Sequence, residues 1–132
     1  MSLSTTSELK SSDCDRWPAL SRDQIEELLP GVKAWSVEGS EPPKLERKFK
    51  TKNFQCALDF VNHAGKVCEE RGHHADLAIF GYNNVKLSIY SHGTNSLTEN
   101  DFNLAKAIDC DFTIAYNKKW LKDHPEIHSA SK

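Results

Sequence analysis

Between residues 53 and 71 the apolar side chains of this 132-residue chain recur at three- and four-residue steps, and that run constrains the fold most. Phe54, Ala57, Leu58, Val61, Ala64, Gly65 and Cys68 share one face of an amphipathic helix of about five turns. Gly72 is placed to end it, because glycine takes the left-handed conformation at little cost. On both sides the period falls to two. Before the helix, Leu45, Arg47 and Phe49 alternate with Glu46, Lys48 and Lys50, the pattern of a half-exposed strand. After it, Val85, Leu87 and Ile89 alternate with Lys86, Ser88 and Tyr90. Residues 77–82 form the other arm of a hairpin, less polar and therefore expected to be central in the sheet. Asn83 and Asn84, which tolerate positive φ, are the expected two-residue loop.

The remaining elements follow from their boundary signals. Ser21 and Gln24 make a capping box, with Leu20 and Ile25 as its hydrophobic staple, and Pro30 and Gly31 stop a helix over 22–29. A short strand is expected over 32–37, then a turn at GSEPP, 39–43. The last helix opens at Thr98 with Glu99 and Asp101 in its first turn, and Phe102, Ala105, Ile108, Phe112 and Ala115 are its expected buried stripe. The order α-β-β-α-β-β-α implies an α+β fold, a four-stranded antiparallel sheet with helices packed on one face. Residues 1–18, rich in Ser and Thr and without periodicity, read as a disordered lead-in. The folded domain is expected over 19–117, and the basic tail 118–132, with Pro125, is expected to fray.

Composition narrows the classes of function. Hydrophobic residues make up 38% and charged residues 27%, enough for one core. The net charge of -2 argues against a nucleic-acid partner. No apolar run approaches the roughly 20 residues that span a bilayer. The start of the chain lacks signal-peptide character, and Glu8 and Asp13 fit a transit peptide poorly, so the cytoplasm is expected, with the nucleus also open to it. Cys14, Cys56, Cys68 and Cys110 are widely spaced without a CxxC pair and read as packing residues in a reducing compartment.

Three of the six histidines remain to be explained: His73, His74 and His92. If Tyr82 faces Val85 across the hairpin, His92 lies opposite Ala75 and Gly93 opposite His74. His73 and His92 then share a face, roughly 7–8 Å apart on a diagonal. An isolated His-His pair is usually a solvated surface feature, but a third imidazole arriving through the hairpin register makes a cluster. His63, His124 and His128 have no such relation. A three-histidine zinc site is the alternative from another class; adjacent histidines hold one ion awkwardly, and no cysteine or carboxylate completes a familiar spacing. Glu69, one helical turn before His73, is placed to orient an imidazole, whereas Asp101 suits a helix N-terminus and reads as mainly structural.

Glu69, His73-His74, the small Ala75, Tyr82, His92 after nine intervening residues, and later Asp101 form a pattern that resembles the motif of the pterin-4a-carbinolamine dehydratases. The resemblance runs from 20 to about 116 and includes Trp35, the LERKFK strand and Phe54 at the start of the long helix. Ala75 stands where proline is usual, Gly72 where many members are acidic, and Leu77 where many carry tryptophan. The segment from His74 to Tyr82 is also one residue longer than in many members, which implies a bulge or altered loop. The resemblance implies dehydration of a 4a-hydroxytetrahydropterin to the quinonoid dihydropterin, with no metal or redox cofactor. It assigns proton transfer to His73 and His92, pterin binding to His74 and Glu69, and supporting roles to Asp101 and Tyr82. It further implies a homotetramer or dimer. Some members also serve a transcription factor as dimerisation cofactors, and the surface for that role would be the helix over 53–71.

Overall fold

Strands β1 (Ser36–Glu38), β2 (Lys44–Lys50), β3 (Asp76–Phe80) and β4 (Asn84–Ile89) form one antiparallel sheet in the order β1-β2-β4-β3. The computed structural model describes residues 16–39, 43–91, 96–110 and 112–125. Helix α1 (Arg22–Leu28) runs into a 3-10 turn, Leu29–Val32, ahead of β1. Helix α2 (Phe54–Arg71) links β2 to β3, α3 (Glu99–Asp109) follows β4, and α4 (Lys118–Asp123) closes the described chain. Among the described residues no helix is long and apolar enough to cross a membrane.

The alternation in β2 decides which face the helices cover. Leu45, Arg47 and Phe49 pair with Ile89, Leu87 and Val85 of β4, and all six are buried. Glu46, Lys48 and Lys50 pair with Ser88, Lys86 and Asn84 on the opposite face. Ala57, Phe60, Ala64 and Cys68 of α2 join Phe102, Leu104, Ala105 and Ile108 of α3 over the apolar face in one core. Phe60 is fully buried and meets Phe49 edge-on at 5.0 Å. It occupies the stripe that the periodicity assigned in part to Phe54, which stays 49% exposed at the first position of α2. The α+β order holds, with helices on one face of the sheet.

The hairpin differs from expectation in register. Phe80 pairs with Asn84 and Ile79 with Val85, leaving Gly81, Tyr82 and Asn83 as the loop. Asn83 explains the shift. Its side-chain amide donates to the Thr51 carbonyl at 3.0 Å, and its own carbonyl accepts from the Thr51 N–H at 2.8 Å. Held against the end of β2, Asn83 is unable to be the loop tip, which passes to Gly81 and Tyr82, both at positive φ. Strand β3 is an edge strand, and the expected central place belongs to β4.

Both chain ends also carry more structure than expected. Trp17, inside the 1–18 span, is buried, and Ala19 bridges Thr98; residues 1–15 lie outside the described residues. Helix α3 stops at Asp109, so Phe112 and Ala115 are not on its stripe. Phe112 instead packs on Phe60 and stacks on His63, and Ala115 is exposed. The tail from Lys118 is helical through Asp123, because the Asn117 side chain caps it and Trp120 stacks on Tyr116 and packs against Phe49.

Candidate active site

The turn that leaves α2 sets the two adjacent histidines. Gly72 is left-handed at φ 66°, its N–H donates to the Glu69 carbonyl at 3.3 Å, and the His73 N–H donates to the Cys68 carbonyl at 3.2 Å. This is the Schellman closure, which satisfies the helix's last carbonyls and sends the chain back toward the sheet. The next two side chains then point to opposite sides. His73 is 3% exposed, whereas the His74 side chain is 63% exposed. Below the turn, the Ala75 N–H donates to Cys68 Sγ at 3.4 Å, and burial pushes the Cys68 thiol above its usual pKa.

His73 meets Asp101. Its Nε2 lies 2.5 Å from Asp101 Oδ1, and the Asp101 side chain is fully buried. Asp101 is held by the start of α3, where the Thr98 N–H donates to its Oδ2 at 2.8 Å in a capping box. The Thr98 hydroxyl approaches the same oxygen at 3.4 Å, and Ser91 Oγ donates to both carboxylate oxygens at 3.1 and 3.0 Å. An ionised carboxylate only accepts, so His73 carries its proton on Nε2 in this pair. The arrangement fixes the tautomer and the ring plane of a histidine between α2 and α3.

Of the six residues singled out in sequence, His73 and Asp101 come together in the interior. Glu69 and His74 come together on the surface, 3.0 Å apart, so the carboxylate expected to orient an imidazole does so for the second histidine. Tyr82 is not part of either pair. It sits 65% exposed at the hairpin tip, separated from His73 by the length of β3, roughly 17 Å. His92 lies outside the described residues. Ser91 and Thr98 complete the Asp101 environment; Thr98 was legible as a cap, but nothing in the spacing marked Ser91. Because His73 and His74 point apart, and His73 Nε2 is on Asp101, the adjacent pair does not converge on one ion.

The family model described as pterin 4 alpha carbinolamine dehydratase matches residues 18–110. The chain belongs to that family. The Arabidopsis thaliana protein named pterin-4-alpha-carbinolamine dehydratase 2, mitochondrial, is 38% identical over 92 residues, 69% of this chain. This chain spans about half, 49%, of that relative's length. A Chloroflexus aurantiacus relative named for the same dehydratase is 42% identical over 92 residues, which cover 70% of this chain and 95% of that one. The crystal structure of a transcriptional coactivator/pterin dehydratase from Brucella melitensis superposes with a TM-score of 0.64 at 26% identity, covering 70% of this chain and 96% of the other. The family match ends at residue 110, so the segment that carries Tyr116 and α4 lies beyond it.

Proposed function

We propose that this chain is a hydro-lyase that removes water from a 4a-hydroxytetrahydropterin, giving the quinonoid dihydropterin. The observation that carries this is the buried His73–Asp101 pair, which joins two residues of the dehydratase-like motif. Family membership and the relatives named for the same activity support it. In the reaction a proton reaches the 4a-hydroxyl, the C4a–O bond breaks as the neighbouring ring nitrogen donates its electron pair, and that nitrogen loses its proton. Two proton-transfer groups suffice, and histidine, with an ordinary pKa of about 6.5, serves either task near neutrality. In this reading His73 and His92 are those groups. His74 and Glu69 bind the pterin from the exposed side, and Tyr82 keeps no part in the site. The physiological role is recycling of the tetrahydropterin cofactor, in the cytoplasm and as a homotetramer.

The test is a stopped-flow dehydration assay with enzymatically generated 4a-hydroxytetrahydropterin. Wild type is expected to accelerate dehydration, with the same rate after exhaustive chelation. His92→Ala and Asp101→Asn are each expected to lower turnover by about 10²-fold or more. Wild-type rates in both variants would remove the acid–base reading, and loss of turnover on chelation would restore the zinc site. The Brucella relative is also named as a transcriptional coactivator, which favours as a second reading a role for this chain as a dimerisation cofactor of a transcription factor, through α2.

A further inference from the structure

Apart from the His73–Asp101 pair, a cleft of about 580 Å³ opens beside the outer edge of β2. Its volume falls within the roughly 300–1,000 Å³ common for small-molecule sites. Trp35, Phe49, Trp120 and His124 make its aromatic wall. Trp35 and Phe49 lie within the family match, whereas Trp120 and His124 belong to the segment beyond it.

That segment is anchored to the sheet. Tyr116 bridges Thr51 and accepts a hydrogen bond from the buried Arg47 guanidinium, which also pairs with Asp109. From Tyr116 the rings build a ladder. Trp120 stacks on Tyr116 at 5.4 Å and 11°, and His124 stacks on Trp120 at 4.0 Å and 16°. His124 Nδ1 donates to the Trp120 carbonyl at 2.7 Å, which fixes the ring, and the ladder ends on this half-exposed imidazole in the cleft.

The rim is charged unevenly. Its carboxylates are already engaged: Glu46 accepts from Ser88 Oγ at 3.3 Å and pairs with Lys86 at 3.7 Å, and Glu38 accepts from Ser36 Oγ at 2.9 Å. Lys33, Lys48 and Lys50 also line the cleft, are exposed, and form no ion pair among the described residues. The strand edge adds a backbone donor. Strand β1 pairs with β2 only as far as Glu46, and the 115–117 segment takes over at Lys50, whose carbonyl accepts from the Asn117 N–H. Backbone groups alternate sides along a strand, so Lys48 directs its N–H and C=O outward into the gap between these two partners.

We propose that this cleft is a second binding site, for a planar aromatic ring that bears an anionic group. The ring extends the Tyr116–Trp120–His124 stack, and Lys33, Lys48 and Lys50 hold the anion. The site is independent of the dehydratase reading. It is tested on the full chain with 2-naphthoate as probe, by tryptophan fluorescence and calorimetry, beside neutral 2-naphthalenemethanol and inorganic phosphate. Saturable naphthoate binding is expected, about tenfold or more weaker in a Lys48→Gln/Lys50→Gln double variant, which loses two charged donors at exposed positions. The neutral alcohol and phosphate should each bind at least about tenfold more weakly than naphthoate. Naphthoate affinity should be the same in His74→Ala. Absence of saturable binding, undiminished affinity in the lysine variant, or phosphate binding as tightly as naphthoate would each overturn the proposal. So would loss of binding in His74→Ala, which would place the probe at the exposed Glu69–His74 pair.

Discussion

Replacing His73 by alanine takes a donor from the buried Asp101 carboxylate and leaves it, among the described residues, the side-chain and backbone donors of Ser91 and Thr98. Stability should fall by about 1–3 kcal/mol, the range for a buried acceptor losing a partner. A solvent-exposed histidine would melt like wild type on truncation; one that is 3% exposed should not. His74→Ala is the internal control, since that side chain is 63% exposed, and its stability should stay within about 0.5 kcal/mol. In the proposed reaction His74→Ala raises KM more than it lowers kcat, whereas Asp101→Asn acts on kcat. Thermal melts with steady-state kinetics on the three variants separate these roles, and a wild-type melting temperature for His73→Ala would contradict the buried pair. Thiols give a second residue-scale test. Cys110 is exposed, while Cys68 is buried with its pKa raised by that burial, so less of it is thiolate at a given pH. Iodoacetamide labelling followed by peptide mass spectrometry should modify Cys110 well before Cys68.

The turn after α2 links helix geometry to the site, because Gly72 at φ 66° determines that His73 turns inward. Gly72→Ala places a Cβ in the left-handed region and should cost about 1–2 kcal/mol, with Gly72→Asn costing less. Denaturant melts on the pair would check this, and equal stability of the alanine and wild-type proteins would show that the turn tolerates a side chain. Elements of this kind were legible in sequence because their signals are local. The 3.6-residue period of α2, the alternation of β2 and the glycine at 72 each report a backbone state directly. The hairpin was misread for the opposite reason. Two asparagines look like a loop tip, but the hydrogen bonds of Asn83 go to Thr51, 32 positions away, and no local pattern announces them. The site divides in the same way. The adjacent histidines stood out in the sequence, yet the choice of partners, Asp101 for His73 and Glu69 for His74, depends on which way consecutive side chains face after the turn. Ser91 reaches Asp101 only through the folded approach of β4's end to α3, so its part was not readable at all.

At the scale of the molecule, the segment beyond the family match is tied to the sheet by a few polar contacts, and these couple overall stability to pH. Arg47 donates to the Tyr116 hydroxyl and pairs with Asp109, which also accepts from the Trp35 indole at 2.9 Å. Burial raises the Tyr116 pKa above its usual value; the Arg47 charge works against that rise and Asp109 adds to it. The folded chain therefore holds the Tyr116 proton to higher pH than the unfolded chain does. Above the unfolded tyrosine value of about 10 the unfolded state loses its proton first, the native state binds more protons, and stability declines with rising pH. The contribution is complete below that value and disappears as pH passes through the raised folded value. Tyr116→Phe should remove this decline while lowering stability at neutral pH by about 1 kcal/mol, because Arg47 loses an acceptor. Melting temperatures of both proteins from about pH 8 to about pH 11 would show the two curves converging at the alkaline end. Parallel curves would mean that Tyr116 ionises alike in both states, so that its burial does not outweigh the opposing Arg47 charge.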